Sequence, residues 1–140
     1  MKGSINLQRR TSAEAAFRLV PITSSNVDLS PEVSTVCVGG HFPGSRVLLH
    51  RPSSSLAVAD SVGITLRRTC TFMWSYPNMI PLSIQEVQHI WDMLKEEDFD
   101  CMLGGWMDKE IPAGAKSVLR SSAEFWLKKA GWEERGLTLQ

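Results

Sequence analysis

The sequence predicts an α/β fold, because the period of its hydrophobic pattern changes along the chain. Between residues 33 and 73, short apolar runs alternate with turn residues, as is typical of consecutive β-strands. From Ser83 onward, apolar residues recur at helical spacing in two segments, with one short apolar run between them. This order of strand, helix, strand and helix is typical of helices layered on a sheet. We therefore expect a mixed sheet with two C-terminal helices.

The first half is predicted to contain four strands that follow one another in the sheet. A turn rich in glycine and proline separates the first two, and a proline and serine cluster at 52–55 predicts a hairpin connection to the third. The predicted strands are Ser34–Val38, Arg46–His50, Leu56–Ala59 and Arg68–Met73.

The second half is predicted to form a helix, a strand and a second helix. Ser83 precedes the first helical pattern and Glu86 follows three residues later, which predicts a capping box. A strand is expected at Asp100–Leu103 and a helix at Ala115–Ala130, which Gly131 would end.

Length and composition fit one domain without a strong electrostatic field. The chain has 140 residues, 43% of them hydrophobic, and its 15 basic residues balance 15 acidic ones. These values support one core and disfavour nucleic acid or an anionic membrane as a partner. We predict a poorly patterned N-terminal segment at 1–31 with a short helix at Ala13–Leu19, a domain at 32–132 and a C-terminal tail at 133–140.

The cysteines indicate a reducing compartment. The sequence contains an odd number of cysteines, namely Cys37, Cys70 and Cys101, and they lack a Cys-x-x-Cys spacing. Each lies in or beside an apolar run, so we expect buried free thiols. The sequence shows no signal-peptide core and no segment that could span a bilayer. A cytoplasmic protein without a membrane partner is the simplest prediction.

A candidate metal site lies where two predicted strands end. His41 occupies the turn Gly40–Gly44, and Asp60 follows the third strand, so both side chains are expected at one edge of the sheet. Neutral imidazole and carboxylate are standard zinc ligands. His50 would complete a three-ligand cluster if strand pairing brought it close. The alternatives are that His41 is an ordinary turn residue and that Asp60 accepts backbone N–H groups in the next turn.

The segments Gly39–Ser45 and Ala59–Ser61 together resemble the second half of metallo-β-lactamase-fold hydrolases, which usually have Gly-His-Thr-Pro-Gly and then Gly-Asp. The resemblance extends over about residues 33–126. It implies half of an αβ/βα sandwich, with His41 as a ligand of one zinc and Asp60 bridging two. It also implies metal-dependent hydrolysis of an ester, lactone or amide bond. Zinc or another divalent metal would be the cofactor and a small molecule the substrate.

Two departures from the family pattern leave open whether the chain is an enzyme. The family's His-x-His-x-Asp-His cluster is absent from the sequence, and its last histidine falls where this chain has Gly104-Gly105-Trp106. Asp108 is a weak substitute for that ligand. In one interpretation, another chain supplies the missing ligands. In the other, the protein is a non-catalytic structural or interaction protein, a truncated pseudo-hydrolase.

The resemblance also predicts a binding surface and a substrate loop. The inner sheet face would normally pack on the absent half, so we expect self-association or a partner subunit, unless residues 1–26 fold back over it. Ser75, Tyr76 and Asn78 are suited to lining a substrate pocket, although a turn fixed by Pro77 explains them equally well. Four tryptophans are expected to be packing residues: Trp91, Trp106, Trp126 and Trp132.

Overall fold

The computed structural model describes residues 22–130, which form a mixed α/β architecture. The strands are β1 Asn26–Asp28, β2 Val33–Cys37, β3 Arg46–His50, β4 Ser55–Ala57, β5 Gly63–Ile64, β6 Cys70–Thr71, β7 Met73–Ser75, β8 Ile80–Pro81, β9 Cys101–Leu103 and β10 Glu110–Ile111. The helices are α1 Ile84–Leu94 and α2 Ala115–Lys129, and a 3₁₀ turn spans Arg51–Ser53. The mixed sheet and the two helices, one of them near the C-terminal end of the described residues, confirm the predicted α/β class. The helix predicted at Ala13–Leu19, the tail at 133–140, Gly131 and Trp132 lie outside the described residues.

Within residues 22–130, the main sheet has six strands in the order β1-β2-β3-β4-β9-β10. Neighbouring strands are antiparallel except for β4 and β9, which are parallel, so this sheet is mixed as predicted. The connection from β4 to β9 contains α1 and two small two-stranded sheets, β5–β6 and β7–β8. β1 lies in a segment that was expected to lack a clear pattern, because a three-residue edge strand shows almost no periodicity.

The strand predicted at Arg68–Met73 was wrong as one element. Arg68 has φ +58°, a left-handed turn conformation that cannot continue a strand. The chain instead forms β6, passes through the fully buried Phe72, and then forms β7. The β3 boundaries are as predicted, and the serine cluster after it contributes to a tight β3–β4 connection.

Both helices pack on the same face of the main sheet and close the core there. β3 alternates along its length, so Val47 and Leu49 face the helices whereas Leu48 between them is exposed. Trp126 of α2 packs edge-to-face on Phe72 with ring centroids 5.8 Å apart. None of the helices within residues 22–130 has the length and apolar composition needed to cross a bilayer.

The predicted capping box at the start of α1 is confirmed. The Ser83 hydroxyl accepts a hydrogen bond from the Glu86 backbone N–H, and the Glu86 carboxylate accepts one from the Ser83 backbone N–H at 2.9 Å. The backbone N–H groups of Ser83 and Glu86, which have no partner within the helix, thereby each have an acceptor.

Replacing Ser83 by alanine is expected to lower the free energy of unfolding by about 1 kcal/mol, because the Glu86 N–H loses its acceptor. Urea denaturation followed by circular dichroism measures the change. Ser117→Ala, on the exposed surface of α2, is the matched control. It should leave the free energy of unfolding unchanged or raise it by about 0.5 kcal/mol. Equal losses in both variants would contradict the role of the cap.

Candidate functional site

The two side chains expected at one sheet edge do lie together. His41 is in the loop between β2 and β3, and Asp60 follows the extension of β4. His41 Nε2 is 3.7 Å from Asp60 Oδ2, with the imidazole largely buried and the carboxylate more than half exposed. The antiparallel hairpin and the strand beside it bring the two loops to the same edge, as the spacing predicted.

A buried serine joins the two loops. Ser61 follows Asp60 in the chain and is 4% exposed. Its hydroxyl accepts a hydrogen bond from the His41 backbone N–H at 3.1 Å and donates one to the Gly39 carbonyl. The sequence does not reveal this role of Ser61, because a serine after a strand carries no signal beyond its turn propensity.

The surroundings of His41 fix which ring nitrogen faces Asp60. Nδ1 lies 3.4 Å from the carbonyl oxygen of Met73, which accepts a hydrogen bond in the tautomer that carries its proton on Nδ1. In that tautomer of the neutral imidazole, Nε2 turns its lone pair toward the Asp60 carboxylate. Two acceptors that face each other are stabilised by a proton or a cation between them. The pair therefore has the electrostatic character of a cation site.

His41 and Asp60 are side chains of the type that binds a divalent metal, but two ligands are too few for a tight site. An imidazole held through its second nitrogen by a carbonyl, together with a carboxylate, is a common arrangement around zinc. However, the part of the chain that the structure describes holds no group of three or more His, Cys, Asp or Glu side chains suited to a metal. A tight site that leaves a position open for water needs three protein ligands. The His41–Asp60 pair thus provides two of these three ligands, and the described residues add no third one.

His50 does not join this pair. It lies at the far end of β3 from the His41 loop, with its Nδ1 2.6 Å from the hydroxyl of Ser53. The three-ligand cluster of His41, His50 and Asp60 is therefore not formed. The reason is the length of β3: His41 precedes its first residue, whereas His50 is its last, about 13 Å along an extended strand.

The His41–Asp60 pair opens onto a cavity of about 600 Å³. Its walls are mainly apolar, with Val62 and Ile64 on one side, and Trp106 and Lys109 contributed by the β9–β10 hairpin.

Trp106 is 79% exposed, so its prediction as a packing residue was wrong. Gly104-Gly105-Trp106, where the resemblance would have placed the last ligand, does line this cavity, whereas Asp108 is exposed and does not.

Among the three predicted substrate-binding residues, Tyr76 lines the cavity. Its hydroxyl donates to the backbone carbonyl of Asp60 at 3.1 Å, and burial raises its pKa, which keeps the proton on that donor. Ser75 and Asn78 hydrogen-bond each other at 3.1 Å and are not part of the cavity wall. A Cβ at Gly63 would lie 2.3 Å from the Tyr76 hydroxyl, so only glycine permits this packing.

The described cysteines are all free thiols, and the buried one is not a nucleophile. Burial raises the pKa of Cys70 to about 12, so the thiol stays protonated at neutral pH. Cys37 and Cys101 are only half-buried, in contrast to the expectation that all three would be buried.

No family model matches the chain. The chain is similar to the uncharacterized protein YmaE of Bacillus subtilis (strain 168), with 26% identity over 108 residues. The aligned part makes up 74% of this chain and 39% of the relative, so the chain spans about two fifths of that protein's length. The relative's name assigns no activity, so the match adds no function to the site.

Proposed function

We propose that the protein is a metallo-β-lactamase-like half-domain in which His41 and Asp60 supply part of a divalent-metal site that another polypeptide completes. The completed site would hydrolyse an ester, lactone or amide bond of a small molecule. The observation that supports this proposal is the 3.7 Å approach of His41 Nε2 to Asp60 Oδ2 at an apolar cavity.

The proposal assigns a role to each polar group of the cavity. His41 and Asp60 would hold the metal, which when bound supplies a water of lowered pKa and polarises a carbonyl. Tyr76 positions the Asp60 loop rather than transferring protons, because its hydroxyl is already bonded to the Asp60 carbonyl. The apolar wall and the exposed Trp106 ring suit the carbon skeleton of a substrate, and Lys109 adds a cation for a polar end.

The chain's own histidines explain why a second polypeptide is needed. There are three in the sequence, and His50 and His89 both lie away from the pair, His50 beside Ser53 and His89 exposed on α1. Further imidazole ligands would therefore come from outside these 140 residues. The Bacillus relative contains a large part that this alignment does not cover, and a complementary ligand set should be sought in such a segment.

We expect the purified protein to retain zinc weakly, and both His41→Ala and Asp60→Ala to lower that retention more than about tenfold. Equilibrium dialysis followed by elemental mass spectrometry measures the bound metal, with zinc, manganese and iron offered in turn. His50→Ala is the matched control, since it removes an imidazole of the same chain that lies outside the pair. Retention that is equal in all four proteins would contradict the assignment.

A non-catalytic interaction protein is the second candidate. The absence of a third ligand among residues 22–130 favours it. Under this alternative, the folded protein would bind no metal even when zinc is in excess, and no esterase or lactonase activity would arise on mixing it with a chain that supplies histidine ligands. The dialysis experiment separates the two candidates before any substrate is known.

We also propose a cytoplasmic location. Cys37, Cys70 and Cys101 are all unpaired in the structure, which suits a reducing compartment. Fractionation of cells that express the tagged protein would test this.

A further inference from the structure

The turn that joins β9 to β10 brings two different binding groups to the cavity beside His41. It spans Trp106–Lys109, and the Lys109 backbone N–H donates to the Trp106 carbonyl at 3.2 Å. Asp108 has φ +60°, in the left-handed region that aspartate tolerates in turns. Trp106 and Lys109 are the first and last residues of this tight turn, so they are neighbours in space, and both line the cavity.

The register of the hairpin sets the direction of the Lys109 side chain. Gly104 lies opposite Lys109, because its N–H donates to the Lys109 carbonyl at 2.7 Å, one step beyond the Leu103–Glu110 pair. Lys109 is therefore on the same side of the sheet as the buried Ile111. A Cβ at Gly104 would lie 2.9 Å from the Lys109 Cβ, so the half-buried lysine occupies space that the glycine leaves open.

The Lys109 ammonium has no charged partner within residues 22–130. No carboxylate of this part of the chain forms an ion pair with it, and the neighbouring Asp108 is exposed. The other charged side chain of the cavity wall is Asp60, whose carboxylate faces His41 Nε2 at 3.7 Å. A cation beside an apolar wall attracts an anion more strongly than a cation in bulk water does.

Trp106 offers a second contact next to this cation. Its ring is 79% exposed although it belongs to a wall that also contains Val62 and Ile64. An indole on a cavity wall presents a flat apolar surface to a planar ligand. The cavity of about 600 Å³ lies in the range of about 300–1,000 Å³ that is typical of small-molecule sites.

We propose that this cavity binds a small, planar apolar acid, whose ring lies on Trp106 and whose carboxylate pairs with Lys109. For the hydrolase, this names the substrate class: an ester, lactone or amide that carries a carboxylate away from the bond to be cleaved. The substrate class rests on the proposed function. The binding of the acid does not, because both contacts are supplied by the chain without a metal.

Isothermal titration calorimetry tests the binding, with naphthoate as the probe and naphthamide and naphthylmethylamine as its neutral and cationic counterparts. The protein is first freed of metal with EDTA, so that the carboxylate cannot bind a metal ion instead. We expect the acid to bind about tenfold more tightly than the amide, and Lys109→Gln to remove this preference, because a charge-assisted hydrogen bond is lost. Trp106→Ala should weaken the binding of both ligands by about threefold or more.

The chain offers a matched control for each variant. Lys129→Gln removes a cation of α2 that lies by the Phe125 ring, and Trp74→Ala removes an exposed indole; both residues are outside the cavity wall, so neither affinity should change. Equal affinities for acid and amide, tighter binding of the amine, an unchanged preference in Lys109→Gln or full affinity in Trp106→Ala would overturn the proposal.

Zinc retention and acid binding are separate measurements. A chain that prefers the acid but retains no zinc would overturn the proposed hydrolase and leave an acid-binding site. A chain that retains zinc without preferring the acid would overturn only the inference drawn from Trp106 and Lys109.

Discussion

Replacing Phe72 by alanine is expected to lower the free energy of unfolding by about 3–5 kcal/mol, the largest loss that we predict for a single substitution. The side chain is 0% exposed and packs edge-to-face on Trp126 of α2. It lies between β6 and β7, and its carbonyl accepts a hydrogen bond from Leu82 N–H at 3.0 Å, so the segment cannot easily move to fill the cavity. Because small domains are stable by only about 5–15 kcal/mol, this variant should approach the limit of folding.

Urea denaturation with tryptophan fluorescence as the signal measures this loss. Phe125→Ala is the matched control: it removes the same type of side chain, but the Phe125 ring is 62% exposed, with the Lys129 ammonium 5.6 Å from its centroid. We expect a change of less than about 1 kcal/mol for the control. Similar losses in the two variants would show that Phe72 is not the centre of the core.

The elements that the sequence predicted well are those whose signal is local. β3 alternates cleanly and is closed by turn residues on both sides, and its bounds were predicted without error. α1 has both a strong helical period and a capping box at Ser83, and both are present in the structure. The meeting of His41 and Asp60 was predicted because His41 lies in the turn before β3 and Asp60 follows β4, and the start of one strand meets the end of the other in this antiparallel pair.

The features that were missed depend on tertiary contacts. The break at Phe72 arises because the chain leaves one small sheet and enters another, which no periodicity reveals. Trp106 lies at an exposed hairpin tip, although a tryptophan in an apolar setting is more often buried. His50, in contrast, could have been excluded from the predicted strand itself, since His41 precedes the first residue of β3 and His50 is its last residue.

The structure divides the candidate site into a part that is built and a part that is absent from the described residues. The built part is specific: His41 is oriented by the Met73 carbonyl, and the Asp60 loop is held by Tyr76. These supporting bonds are of the kind that fix ligands in metal sites. They also stabilise an ordinary loop pair, so metal binding by the two side chains distinguishes the interpretations better than any further feature of the loops.

The second large effect is predicted at Ser61, whose hydroxyl joins the two loops of the site. Ser61→Ala removes the acceptor of the His41 N–H and the donor to the Gly39 carbonyl, both in a setting where the serine is 4% exposed. Loss of partners for two buried backbone groups should lower the free energy of unfolding by about 2–4 kcal/mol. It should also let the His41 loop move away from Asp60.

Because of this second effect, Ser61→Ala tests the site as well as the fold. If the His41–Asp60 pair binds zinc, loosening its support should lower zinc retention by about 10–100-fold, as loss of outer-shell partners does in metal sites. Ser53→Ala removes an exposed hydroxyl that bonds His50 and should change neither quantity by much. The two readouts separate the possible results: reduced stability with unchanged zinc retention would leave Ser61 as a fold residue alone, and no change in stability would show that other contacts hold the two loops.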